Sequence, residues 1–230
     1  MEHAAQPPVA IARPETGFLQ RVFMWMFIGL LITGGSAAAI GSSDQLLTDI
    51  TENPLILLGV IAAQLGLVFF ISFRINSISP ATATVLFLIY AATVGVTFAL
   101  IFELYTAQSI FTTFLITAGM FGGLAIWGAL TDMDLSKVGA IAFMALIGLI
   151  LATIVNIFWA NETLYWITTY AGVAIFAALT AYDMQKLNQI SKQGLTGDAE
   201  GRAAIMGALA LYLDFINLFL FLLRIFGQSR

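Results

Sequence analysis

One aspartate in this chain stands where a charge is expensive. Asp214 lies in Ala210–Leu220 (ALYLDFINLFL), about eleven residues into an apolar run and far in sequence from any other charge. An ionisable group at that depth of a bilayer costs at least ~2.5–3.5 kcal/mol, so as a rule it has a partner and a function. The plain alternative is a protonated acid hydrogen-bonded between helices. Asn217 follows three residues on and shares a helix face with Asp214, whereas Phe215, Leu218, Phe219 and Phe221 are apolar. A helix that is apolar nearly all round with one polar stripe suits the inside of a bundle better than its lipid face. Asp183 is the second candidate. It closes an apolar segment in Leu179–Lys186 (LTAYDMQK), where an acid alone would simply be solvated. Its interest comes from the next segment, which returns antiparallel. If that last helix projects a turn or two beyond the membrane, Asp183 and Asp214 reach similar depth and titrate as one coupled pair. Arg74, after Val68–Phe73 (VFFISF), is either a membrane-edge anchor or a guanidinium that neutralises the pair in one conformation.

The elements that must position these residues follow from composition. Of 230 residues, 60% are hydrophobic and 10% charged, and mean hydropathy is +0.96. A soluble domain carries about a quarter charged residues. Spans of about 20 apolar residues cross a bilayer, and seven are visible, at roughly 18–40, 53–73, 80–102, 107–130, 136–159, 163–183 and 203–226. The backbone must pair internally in lipid, which makes each a helix. Asn53-Pro54 and Ser79-Pro80 place a capping side chain before a helix-starting proline, and Asp134 and Asn161 are further caps. The predicted organisation is a disordered tail, residues 1–17, and one all-α transmembrane domain, residues 18–230. The tail holds His3, read as a solvated bystander. With no cysteine, thiol chemistry is excluded.

Lysine and arginine orient the chain. With the N-terminus cytoplasmic, that side holds Arg13, Arg21, Arg74, Lys137, Lys186, Lys192 and Arg202, and the other only Arg224 and Arg230. Positive-inside bias therefore predicts N-terminus in and C-terminus out. An even span count, which would return the C-terminus to the cytoplasm, ranks second. A faint repeat aligns Gly123–Lys137 (GLAIWGALTDMDLSK) with Gly172–Lys186 (GVAIFAALTAYDMQK), eight of fifteen residues matching. It pairs Asp134 with Asp183, Asn156 with Asn217 and Thr153 with Asp214, as if two parallel hairpins were copies. Small residues at Gly34–Ala39 and at Gly122, Gly123 and Ala125 read as close helix contacts.

These segments resemble the Bax inhibitor-1 (transmembrane Bax-inhibitor-motif) family in its bacterial branch. The carrying residues are Leu179–Leu187 (LTAYDMQKL), Ala204–Phe219 (AIMGALALYLDFINLF), Phe121–Ser136 (FGGLAIWGALTDMDLS) and Phe73–Pro80 (FRINSISP). The resemblance implies a seven-helix fold in a bacterial inner membrane, the last helix wrapped by the other six, and a calcium leak gated by protons. It implies that Asp183 and Asp214 form a pH-sensing pair near the cytoplasmic mouth, engaged by Arg74 in the closed state, with Asn217 and Tyr182 as auxiliaries. Calcium takes six to eight oxygens, so two carboxylates bind Ca2+ weakly, which permeation requires. No tightly bound cofactor is implied; the partners are the bilayer, Ca2+ and protons.

Two other classes compete. A non-conducting bundle that modulates another membrane protein, such as a membrane protease, would also lack extramembrane domains. An intramembrane aspartyl protease would use two aspartates, but Leu211-Tyr212-Leu213-Asp214 lacks its glycine-flanked context. Without a histidine cluster, nucleotide loop or Ser/His pair, the expectation is no enzyme and no nucleic-acid partner.

Overall fold

Amides that enter lipid must find partners within the chain, and helices alone supply them here. The computed structural model describes residues 16–229. The tail to residue 15, with His3 and Arg13, and Arg230 lie outside the described residues. The elements are α1 (Thr16–Gly41), α2 (Asp44–Glu52), α3 (Pro54–Arg74) with a 3-10 turn at Ile75–Ser77, α4 (Pro80–Leu104), α5 (Ala107–Leu130), α6 (Ser136–Trp159), α7 (Glu162–Ser191) and α8 (Gly197–Phe226). All except α2 are long and apolar enough to span a membrane. Asn53, Ser79 and Asn161 cap α3, α4 and α7 through their side chains. Short α2, which hydropathy did not reveal, is capped by Ser43 and buries Ile50.

Helix α8 is the centre. Some 72% of its most apolar stretch is buried, against 39% or less in every other span, as expected of a last helix wrapped by the others. Its packing partners are α1, α4, α5 and α7. Close pairs fix the directions. Gly29 meets Phe87, and Ser36 meets Gly95, so α1 and α4 run parallel. Phe87 packs edge-on to Tyr212 and Phe98 stacks on Phe219 of α8, so α4 and α8 are also parallel. Phe121 and Phe114 meet Phe215 and Phe219 in reverse order, so α5 is antiparallel to α8. The alternation required of seven successive crossings is thus present in the packing.

One end of the bundle gathers the start of α1, the α3–α4 turn and the α5–α6 and α7–α8 connections. Arg21 pairs with Glu200 at 3.3 Å there, and Gly201 lies against Pro80. This end holds Arg21, Arg74, Lys137, Lys186, Lys192 and Arg202. At the opposite end Gln228 donates its N–H to Ser109 Oγ at 2.9 Å, and Thr106 donates to the Gln228 carbonyl. Arg224 is the sole base there among the described residues, 5.1 Å from the Phe221 ring and 5.5 Å from that of Tyr165.

The close contacts expected of the clustered small residues hold in part, since Ser36 and Ala37 of α1 meet Gly95 and Ala125 is buried. Gly34, Gly35, Gly122 and Gly123 have nothing within 4 Å of where a side chain would begin. Other close approaches fall at scattered glycines, because contact depends on which face a neighbour meets and not on how small residues cluster in sequence. The first helix also starts at Thr16, inside the stretch assigned to the tail.

Candidate functional site

Helix α7 does not end at Asp183, as its hydropathy suggested. It continues for two more turns to Ser191. The reason lies in two polar side chains that serve a neighbouring loop. Gln185 donates its Nε2 to the Met133 carbonyl at 2.7 Å and accepts the Leu135 N–H at 2.9 Å. Asn188 donates to the Ala129 carbonyl at 2.7 Å. Those backbone groups at the α5–α6 connection would otherwise lack partners. Just ahead of them α7 is clamped from both sides. A Cβ on Gly128 of α5 would fall 2.2 Å from the Ala181 carbonyl oxygen, and one on Gly139 of α6 would fall 2.4 Å from the Tyr182 ring. Only glycine admits these approaches. They fix the turn that carries Tyr182 and Asp183.

Helix α8 likewise starts early, at Gly197, six residues before its apolar run. Its register with α7 is set by Phe176 on Phe221, ring centroids 5.9 Å apart, and by Leu187 against Gly207. Moving seven residues on from Phe176 reaches Asp183. Moving seven back from Phe221 reaches Asp214. In an antiparallel pair both moves go the same way, so the two acids stand level, about 10 Å from the ring stack at 1.5 Å per residue. Both line one cavity of about 1000 Å³, together with Tyr182, Asn217, Gln64 and Lys186.

Asp214 is 4% exposed, and its Oδ2 is buried without a hydrogen-bond partner among the described residues. Asp183 is half-buried. The two ion pairs among the described residues, Arg21–Glu200 and Arg202–Asp198, involve neither acid. Asn217 donates its amide to the Leu213 carbonyl at 2.8 Å, and Gln64 donates its amide to the Thr93 carbonyl at 2.8 Å. Each keeps its amide oxygen and one further N–H to offer. The arrangement brings oxygen acceptors together, with Lys186 at one end of the cavity and in no ion pair with either acid, and suits a hard cation or protons. Among the described residues no three His, Cys, Asp or Glu side chains cluster as a metal site, so amides, hydroxyls and water would have to complete any coordination shell.

The site residues read from sequence divide. Asp183, Asp214, Asn217 and Tyr182 come together, whereas Arg74 does not join them. On α3 the cavity is lined by Ile61, Gln64, Leu65, Val68 and Phe69. Arg74 stands about 140° round the helix from Phe69 and about 120° from Val68, and it is exposed. Gln64, Tyr90 and Lys186 were not singled out in the sequence. A glutamine in the middle of an apolar span is the signal by which the sequence marks Gln64. The repeat holds only in part. Thr153, aligned with Asp214, lines the same cavity from α6. Asp134, however, sits in the break between α5 and α6, while Asp183 lies within a continuous helix. Asp134 accepts the Ser136 N–H at 2.9 Å, and the Ser136 side chain and N–H hold its carboxyl below the usual range. Asn156 accepts the Asn161 N–H at the end of α6, a different task from that of Asn217.

Known proteins share these features in sequence. The family model for the inhibitor of apoptosis-promoting Bax1 matches residues 15–230. The inner membrane protein YbhL of Escherichia coli (strain K12) is 45% identical over 226 residues, covering 96% of this chain and 97% of that protein. A Borreliella burgdorferi protein is 45% identical over 215 residues, covering 93% and 92%. One from Deinococcus radiodurans is 40% identical over 213 residues, covering 93% and 90%. With seven spans, the last of them the most buried, and a match that runs through all of them, this chain belongs to the Bax inhibitor-1 family.

Proposed function

We propose that the chain is a pH-sensitive calcium leak pathway of the bacterial inner membrane, with Asp183 and Asp214 as the ion and proton site. The observation that carries this reading is the level pair of acids, one from each of two antiparallel helices, on a single cavity, with neither acid in an ion pair among the described residues. Ca2+ would be held by the two carboxylates and the amide oxygens of Asn217 and Gln64, with water completing its six to eight ligands. Such a shell is loose enough to release the ion. Protons compete for the same carboxylates, so Ca2+ occupancy falls as pH falls. Arg74 closes the site in a second state, which requires α3 to turn its last turn towards the cavity. No step in this scheme makes or breaks a covalent bond, so the chain acts as a conduit without catalysis.

The basic end faces the cytoplasm in this reading, and the inner membrane assignment draws on YbhL. A reporter fused after Arg230 should therefore report from the periplasm and one in the 192–196 connection from the cytoplasm. Calcium flux into liposomes of purified protein, measured at several pH values, tests the function. Flux that changes with pH supports the leak. No flux at any pH overturns it and favours the non-conducting bundle that modulates another membrane protein.

A further inference from the structure

The cavity that holds the acids has no wall on one side. Helix α3 packs on α4, and α6 packs on α7, but no extended packing joins α3 to α6. Between them the cavity meets the surface, and its edges are apolar and exposed: Leu65 and Phe69 on α3, Phe143 and Met144 on α6. On a span, such side chains meet acyl chains. The cleft is therefore a lateral doorway from the bilayer to two carboxylates. Its depth is set by α6. Gly139, beside Tyr182, is three residues into that helix, about 4.5 Å, so the acids lie close to the headgroup layer at the basic end. Lys186 lies one turn nearer that end on the same cavity.

We propose that this cleft holds a phospholipid with a primary ammonium headgroup, of the phosphatidylethanolamine type. The headgroup turns inward so that its ammonium reaches Asp183 and Asp214, its phosphate lies by Lys186, and an acyl chain runs between Leu65 and Met144. Charge complementarity selects this occupant. The unpartnered Oδ2 of Asp214 requires a donor, and an ammonium brings three. A choline headgroup brings none, and a glycerol headgroup lacks the cation. A spanning helix, about 10–12 Å across and about 30 Å long, is too large for about 1000 Å³. The inference rests on the same acids as the leak but not on calcium passing them.

Native mass spectrometry of the full chain tests it. The protein is extracted from liposomes of equal phosphatidylethanolamine, phosphatidylcholine and phosphatidylglycerol, with calcium chelated. The wild type should retain one phosphatidylethanolamine, enriched roughly tenfold over the other two, the discrimination expected of a charge-assisted hydrogen bond. Asp183→Asn and Asp214→Asn should lose that enrichment. Met144→Trp, which narrows the doorway and leaves the acids intact, should lose the lipid altogether. Equal retention of all three lipids by the wild type, unchanged enrichment in the Asn variants, or a bound peptide in place of lipid would overturn the proposal. Because calcium is absent, enrichment without flux would remove the leak and leave the lipid site, and flux without enrichment would do the reverse.

Discussion

Two faces of α8 handle buried polar groups in opposite ways. Tyr212 and Asp214 are two residues apart, about 200° round the helix, and so meet different surroundings. Towards α1 and α4, Tyr212 is fully buried with its hydroxyl on Thr33 Oγ1. Thr33 in turn donates to the Ala91 carbonyl at 2.9 Å, so its one hydrogen is used and Tyr212 is the donor. Phe87 and Tyr90 pack edge-on to the Tyr212 ring at 5.6 and 5.9 Å. That face joins three parallel helices through the chain from Tyr212 to Thr33 to the Ala91 carbonyl. Towards α3 and α6, Asp214 meets an open cavity and a buried oxygen without a partner. A satisfied network rigidifies, whereas an unsatisfied buried group marks a place where something else must bind or exchange. One helix therefore packs as scaffold on one side and walls a cavity on the other.

The sharpest way to break this contrast is at the acids. Asp214→Asn keeps shape but removes charge, and should abolish calcium flux or nearly so, and flatten its pH dependence. Asp183→Asn should match it, and the double variant should be little worse than either single, since coupled groups are non-additive. Small and additive losses in a liposome flux assay would reduce Asp214 to a helix bridge. In the wild type, acidification should weaken Ca2+ binding, because protonation discharges the carboxylates; binding that strengthens at low pH would invert the scheme.

Next in size is Gly139→Ala. The added methyl would strike the Tyr182 ring, an overpacking cost of about 1–3 kcal/mol, visible as a lower melting temperature in detergent. Flux should change with it, because the displaced turn carries Asp183. Unchanged flux would separate the clamp from the site. Tyr212→Phe sharpens the comparison from the other face. It removes one hydrogen bond, about 1 kcal/mol, and leaves Thr33 bonded to Ala91, so stability should fall slightly while the pH profile of flux stays as in the wild type. An altered profile would show that the two faces communicate. Arg74→Lys should have the smallest effect, a modestly leakier protein with a shifted pH response, because lysine lacks the planar fork that clamps carboxylates. Flux identical to the wild type at every pH would confine Arg74 to the membrane edge.

Some of this was fixed by residue types alone. A run such as Val138–Ile157 has no conformation in lipid other than a helix, so seven spans could be counted from the sequence. Their charged ends could be sorted, and Asp214 was conspicuous because its neighbours are apolar. Local polarity misjudged the ends of α7 and α8. Gln185 and Asn188 look like loop residues until Met133, Leu135 and Ala129 are seen to need partners. The clamp at Gly128 and Gly139 was hidden for the same reason, since a glycine shows its use only against the atom that approaches it. The repeat failed at Asp134 because eight matching residues record composition, whereas helix continuity depends on neighbours distant in sequence. Sequence thus determined which segments cross the membrane and which residue types they carry, because the bilayer imposes that on each segment separately. Only the tertiary structure decided that Asp183 and Asp214 stand level, that Arg74 faces away from them and that a doorway opens between α3 and α6, because each depends on how one helix is turned and set against another.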